Sequence, residues 1–273
     1  MKKLTLLLLF ITTIVAAQQK QVKWPKNKKA TIVLTYDDAL PSQLNVAVPQ
    51  LKSAGFKATF FLTADIDSLS IPRWRKLTKK GFELANHTAF HPCFTAPDNP
   101  VSSAGYTAHQ MIREIEVMDR FLFAVDGKTT RTFAYPCAET VAGGNDYVDT
   151  LRRYKVVKYA RVGGDDDAII TDFIHLDPFR VPSYGLGDDT PPEKLIEFVK
   201  HVQESGGMGV IMFHGIGGDY IITSAKAHQQ LLDYLKKHRK EIWVTTFQEA
   251  MNYATQHAVD PNAYLTYVVS MRK

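Results

Sequence analysis

Ala30-Thr31-Ile32-Val33-Leu34-Thr35-Tyr36-Asp37-Asp38 is an apolar, β-branched run that ends abruptly in two carboxylates. It reads as a buried strand, because β-branched side chains fit a pleated surface. Further along, Gly81-Phe82-Glu83-Leu84-Ala85-Asn86 ends in the same manner at His87-Thr88-Ala89-Phe90-His91, with two histidines spaced i, i+4. A carboxylate and two imidazoles make a three-ligand set for Zn²⁺ or a similar divalent ion and leave an open coordination position, which is the mark of a catalytic site.

The remaining chain repeats this pattern. Strand candidates fall at 31–35, 58–63, 82–86, 132–135, 156–160, 175–181, 209–213 and 242–245, with helical patterns between them at 43–53, 72–79, 107–124, 145–153, 191–204 and 224–237. Thr107 with Gln110, Thr190 with Glu193 and Thr246 with Glu249 each fit a capping box, in which a threonine hydroxyl and an N3 side chain satisfy each other's amides. Alternating β and α elements predict an α/β fold, a parallel sheet curled into a (β/α) barrel. Asp37, Asp38, Asp65, His87, His91, Pro136, Cys137 and His214 all follow the C-terminal end of a strand candidate. In a parallel barrel those ends share one rim, where such folds do their chemistry.

Residues 1–17 carry Lys2 and Lys3, an apolar stretch and Ala16-Ala17 before a polar run, which is the pattern of a signal peptide. The stretch is short of the roughly 20 residues a membrane span needs, and no cysteine lies near the cleavage region, so the expectation is a secreted or periplasmic protein without a stable membrane anchor. Its removal would leave 31 basic against 28 acidic residues. That mild balance, with Lys26–Lys29 and Lys236–Lys240 short, separate and free of interleaved aromatics, argues against nucleic acid as a partner. No repeat or linker divides the chain, so a single domain is expected over 28–254, followed by an extension over 255–273.

Adjacent strand residues point opposite ways, so Asp37 and Asp38 are expected to do different jobs. The zincin pattern is excluded, because Thr88 stands where His-Glu-x-x-His needs glutamate, and no G-x-S-x-G elbow or C-x-x-C pair occurs. His214, between Gly209-Val210-Ile211-Met212-Phe213 and a glycine-rich loop, is a candidate proton donor. His228 shares a helical face with Leu231, Leu232 and Leu235, which favours packing, yet it starts the helix that follows His214. Asp165-Asp166-Asp167 reads as a solvated loop rather than a Ca²⁺ site. Cys93 and Cys137 border the same rim, so proximity is expected and a disulfide is permitted but not required.

With these residues assembled, the chain resembles the polysaccharide deacetylases that share the NodB homology domain, carbohydrate esterase family 4. Thr35-Tyr36-Asp37-Asp38-Ala39 matches T-F-D-D-G, His87-Thr88-Ala89-Phe90-His91 matches H-[ST]-x-x-H, Phe133-Ala134-Tyr135-Pro136-Cys137 looks like the third motif, and Met212-Phe213-His214 looks like L-x-H. The resemblance implies a distorted barrel in which Asp38, His87 and His91 hold a divalent metal, most simply Zn²⁺. It makes Asp37 the general base, His214 the acid and the Cys137 backbone N–H an oxyanion donor. The implied activity is removal of N- or O-acetyl groups from an oligo- or polysaccharide, with a catalytically weak carbohydrate-binding homologue as the alternative. The chain departs from the pattern at Tyr36, at Ala39 and at Ala134, which stands in place of an arginine that orients the catalytic aspartate, and it lacks a fourth-motif tryptophan. Asp65, Tyr135, Arg180 and His228 are the further candidates around the ligands or the substrate, Arg180 being the expected replacement for the missing arginine.

Overall fold

The computed structural model describes residues 21–95 and 101–259; the signal segment 1–17 and residues 260–273 of the C-terminal extension lie outside them. Eleven strands form among the described residues: β1 (Ala30–Asp37), β2 (Thr59–Leu62), β3 (Glu83–Asn86), β4 (Thr132–Ala134), β5 (Val141–Ala142), β6 (Asn145–Asp146), β7 (Tyr159–Arg161), β8 (Ile169–Ile170), β9 (Tyr184–Gly185), β10 (Met208–Phe213) and β11 (Ile242–Thr245). The seven α-helices are α1 (Val48–Ala54), α2 (Ile71–Thr78), α3 (Ala108–Asp126), α4 (Val148–Tyr154), α5 (Pro192–Ser205), α6 (Ala225–Lys237) and α7 (Phe247–His257). The main sheet runs β7-β4-β3-β2-β1-β10-β8, with β11 also on β1 and β9 on β10. Every pairing in it is parallel except β10 with β8. The sheet is strongly curled and left open, a half-barrel in place of a closed eight-stranded ring.

Strand alternation decides which side chains reach the site. On β1, Ile32, Leu34 and Tyr36 face outward and pack with Phe60, Leu84 and the helix residues Leu51, Trp74, Phe198 and Leu231. Val33 faces inward with Phe61, Ala85, Ala134, Val181 and Val210, and Asp37 lies on the same face two positions of the alternation further on. Trp24 and Phe247 belong to this inner cluster, and the Trp24 indole N–H donates to the Gly206 carbonyl at 2.9 Å. The lower mouth of the curl is thereby closed by apolar side chains, and its open mouth is the C-terminal end of the strands.

Several elements differ from expectation. Residues 175–181 make no strand: Pro178 has no amide to donate, the Arg180 N–H turns back to the Asp177 carbonyl at 3.0 Å, and the segment joins the sheet through the Ala160 N–H to the Pro178 carbonyl at 2.9 Å and a bridge from Val181 to Arg161. Helix α7 runs to His257, past the expected boundary at Ala254, because Ala250, Met251 and Ala254 are buried in the inner cluster. Thr107 forms the full capping box and Thr246 accepts from the Glu249 N–H, but Thr190 turns its hydroxyl to the Gly187 carbonyl and Pro191 takes the N-cap position. Residues 43–47 wind as a π-turn before α1, which turns Gln43 back into the interior.

Candidate metal centre

Three turns meet at the open mouth: the one after β1 bearing Asp38, the one after β3 bearing His87 and His91, and the one after β10 bearing His214. The Oδ1 of Asp38 lies 3.4 Å from the His87 Nε2 and 3.4 Å from the His91 Nε2. The His214 Nε2 lies 3.8 Å from the other Asp38 oxygen, Oδ2. Asp37 approaches from β1, with its Oδ2 3.7 Å from the His87 Nε2. The expected division of Asp37 and Asp38 onto opposite faces does not hold, because Asp38 has left the strand at φ +75° and its carboxylate swings to the same side as Asp37.

Such backbone is concentrated here. Of twelve non-glycine residues with positive φ among the described residues, eight lie on the turns around the site: Asp38, Ala39, Thr88, His91, Cys137, Ala138, Asp219 and Ile221. Each costs about 1–3 kcal/mol, and such strain persists where the surroundings impose it, most often at functional sites. The surroundings are identifiable. Asn86 accepts the Thr88 N–H at 2.8 Å, and the Thr88 hydroxyl accepts the His91 N–H at 3.0 Å. Gln43 donates to the carbonyls of Asp37 at 2.5 Å and of His214 at 3.2 Å, tying the first motif to the last. A disulfide joins Cys93 to Cys137, with Cα atoms 5.8 Å apart, and so fastens the turn of His91 to the turn after β4.

The donor set fits a divalent cation. Ligand atoms 2.0–2.2 Å from one tetrahedral ion lie roughly 3.3–3.6 Å from each other, and both Asp38–histidine separations are 3.4 Å. The Asp38 Oδ1 is buried and accepts no hydrogen bond, which is costly unless a cation or donor takes it up. The His87 Nδ1 faces the Ala134 carbonyl at 2.8 Å; a carbonyl only accepts, so that nitrogen carries the proton and Nε2 offers its lone pair to the site. Burial would lower the His87 pKa, but Asp37 and Asp38 outweigh it and raise it. Burial likewise works to raise Asp38, and the three histidines overcome it and hold its carboxyl well below the usual range. Burial and the neighbouring His87 bring His91 down to about 4, which keeps its ring neutral and able to ligate near neutrality. His91, Cys93 and Cys137 also cluster, but both sulfurs are committed to the disulfide.

Arg161 is the functional neighbour that sequence reading missed. It is buried, stacks over the Phe61 ring at 5.0 Å, and donates one guanidinium N–H to the Asp37 Oδ2 and another to the Ser183 hydroxyl at 3.0 Å. The Asp37 Oδ1 is left buried without a hydrogen bond. Arg180, expected in this role, lies on the exterior and pairs with Asp146 at 2.5 Å. Tyr135 is buried among Phe133 and Tyr147 and donates to the Phe179 carbonyl at 3.0 Å, so it stands outside the site. Asp65 is exposed on the turn after β2. His228 is fully buried behind β1, where its Nε2 accepts from the Tyr36 hydroxyl at 2.7 Å and its Nδ1–H donates to the side-chain Oε1 of Gln50 at 2.5 Å. Burial lowers its pKa to about 3, so it is a neutral, satisfied core histidine.

A family model described as polysaccharide deacetylase matches residues 25–156. The fold is similar to that of a putative polysaccharide deacetylase from Mycobacterium smegmatis, with a TM-score of 0.63 and 16% identity over 89% of this chain and 96% of that one. It is similar to the Xyl-CE4 domain of a multidomain xylanase from the hindgut metagenome of Trinervitermes trinervoides, with a TM-score of 0.57 and 19% identity over 86% and 94% of the two chains. A family 4 acetyl xylan esterase from Clostridium thermocellum, solved with a cobalt ion, gives a TM-score of 0.54 and 16% identity over 81% and 90%. No curated protein sequence matches the chain.

Proposed function

Because the chain belongs to the polysaccharide deacetylase family, whose members act on acetylated polysaccharides, we propose that it is an exported, metal-dependent hydrolase of N- or O-acetyl groups on a glycan. The single observation that carries the reading is the convergence of the unpartnered Asp38 Oδ1 with His87 and His91, with Asp37 and His214 on either side. Asp38, His87 and His91 would hold the ion; when bound, a divalent cation there polarises an acetyl carbonyl and acidifies water.

The chain's own residues manage the protons. Asp37 is anchored through Oδ2 by Arg161, which leaves Oδ1 free to accept a proton from water. His214, at the more open side of the cluster, donates a proton to the departing sugar nitrogen or oxygen. The backbone N–H of Cys137, on the turn that the disulfide fastens beside His91, is the proposed donor to the developing oxyanion. Phe90, exposed within the His87–His91 turn, flanks the opening and offers an apolar face to a sugar ring.

The test is acetate release from a panel of acetylated chito-, xylo- and peptidoglycan-derived oligosaccharides, after chelation and again after Zn²⁺ or Co²⁺ is restored. Acetate appearing only with metal, and without new reducing ends, is the expected result. Saccharide binding by the metal-restored protein with no acetate from any of these substrates would replace this reading with that of a binding homologue.

A further inference from the structure

The two oxygens of Asp38 have different surroundings. Oδ1 faces His87 and His91 and accepts no hydrogen bond, while Oδ2 accepts one from the hydroxyl of Tyr220, a residue on the loop after β10. The Tyr220 ring also lies 5.8 Å from that of His214.

The loop is built to hold this side chain in place. The Gly215 N–H donates to the Tyr220 carbonyl at 3.1 Å, the Thr223 N–H to the Gly215 carbonyl at 2.9 Å, and the Gly217 N–H to the Thr223 carbonyl at 2.8 Å. A Cβ on Gly215 would stand 2.0 Å from the Gly218 carbonyl oxygen and 2.9 Å from that of Tyr220, so glycine is required there. On one flank the Asp219 carboxylate accepts the Ser42 N–H at 2.8 Å, and on the other the Asp188 carboxylate accepts the Ile222 N–H at 2.6 Å. Asp219 and Ile221, on either side of Tyr220, have φ of +70° and +45°, and a β-branched residue takes up that conformation only when its surroundings impose it.

We infer that Tyr220 is a positioning residue for the metal ligand set: by holding the Asp38 Oδ2, its hydroxyl presents Oδ1 alone to the cation. The torsion that turns a carboxylate is broad and roughly two-fold, so an untethered aspartate samples orientations in which either oxygen, or both, face the ion. A donor fixed on one oxygen removes that freedom before the cation arrives. The inference rests on the metal site of the proposed function and adds to it a residue outside all four sequence motifs.

Tyr220→Phe removes one hydroxyl from a half-exposed side chain and keeps the ring, which makes it the variant to use. Binding of Co²⁺ and of Zn²⁺ to chelated protein is measured by calorimetry, with the melting temperature of the metal-free protein and the visible spectrum of the Co²⁺ form alongside. The expected result is a 10–100-fold weaker Kd, the usual effect of losing a partner that orients a ligand, with a changed Co²⁺ spectrum and an unchanged metal-free melting temperature. An unchanged Kd and spectrum would overturn the role of Tyr220 and leave the metal site standing. A raised KM for oligosaccharide with unchanged metal affinity would assign Tyr220 to sugar contact instead. Failure of the wild-type protein to bind either ion would overturn both this inference and the function it rests on.

Discussion

Arg161 stands in register with Ala134 across β7 and β4, and its guanidinium ends on the carboxylate of Asp37. Parallel partners point to the same face of a sheet, so an arginine on either strand enters the same interior. Here the charge comes from β7, which leaves the third-motif strand free to carry a small residue beside Phe61. Truncating Arg161→Ala would strand a buried carboxylate, and breaking a buried pair in this way costs about 3–5 kcal/mol. A lower melting temperature is therefore expected together with loss of deacetylation. Arg161→Lys keeps the charge but lacks the planar fork, so it should recover stability better than kcat. Wild-type kcat in either variant would remove Arg161 from the mechanism.

In the proposed mechanism, Asp37 and His91 separate turnover from metal binding. Asp37→Asn preserves size and removes the proton acceptor, so bound metal should stay stoichiometric while acetate release falls roughly 10²-fold or more. His91→Ala removes one of the three proposed metal ligands and should lose metal and activity together. Both variants are read by metal content after gel filtration and by acetate release. An Asp37→Asn protein with near-wild-type activity would defeat the assignment of the base.

The disulfide gives a prediction that needs no substrate. Closing a loop between residues 44 positions apart contributes typically 2–4 kcal/mol to stability. Reduction, or the paired change Cys93→Ser with Cys137→Ser, should lower the melting temperature. It should also lower kcat, because the left-handed backbone of His91 and Cys137 loses the tether between their turns. The denatured, unreduced protein should show no free thiol. A melting temperature and kcat indifferent to reductant would show that the two turns hold themselves.

What could be read in the sequence was whatever sits where an apolar run stops. Asp37, Asp38, His87, His91 and His214 each end a strand, and in a parallel sheet strand ends converge without further information. Arg161 ends one too, on β7, but nothing local tells an inward arginine from an exterior one; its partner is fixed by the register of β7 on β4. Arg180 is equivalent by pattern alone: residues 175–181 carry the spacing of a strand, and Pro178 forbids that ladder. Tyr220 was hidden for a different reason: its place depends on a loop whose glycines signal flexibility in sequence, while in the fold they allow close backbone crossings. The Tyr36–His228 contact was partly legible, since the leucine spacing around His228 already favoured packing.

The last prediction concerns pH and the turn that carries the histidines. Asn86, at the end of β3, donates to the Ile115 carbonyl at 2.8 Å and to the Asp119 carboxylate at 2.7 Å, while its own oxygen accepts the Thr88 N–H. Burial of this α3 side chain beside the end of β3 pushes the Asp119 carboxyl up from 3.8 to about 6, against the opposing effects of the Asn86 hydrogen bond and the Arg131 charge. A carboxyl whose folded pKa lies above its unfolded value binds its proton more tightly in the folded state. Its contribution to stability therefore falls as pH rises from about 4 to about 6 and is absent above that window. Asp119→Asn retains an acceptor for Asn86 and cannot ionise, so the variant should gain on the wild type across the same window, by on the order of 1 kcal/mol after allowance for solvent screening. Urea unfolding of both proteins at about pH 4 and about pH 7.5 measures the difference with all other titrating groups held in common. Parallel profiles would mean that Asp119 ionises freely in the folded protein, and that the Asn86 anchor of the histidine turn bears no hidden charge cost.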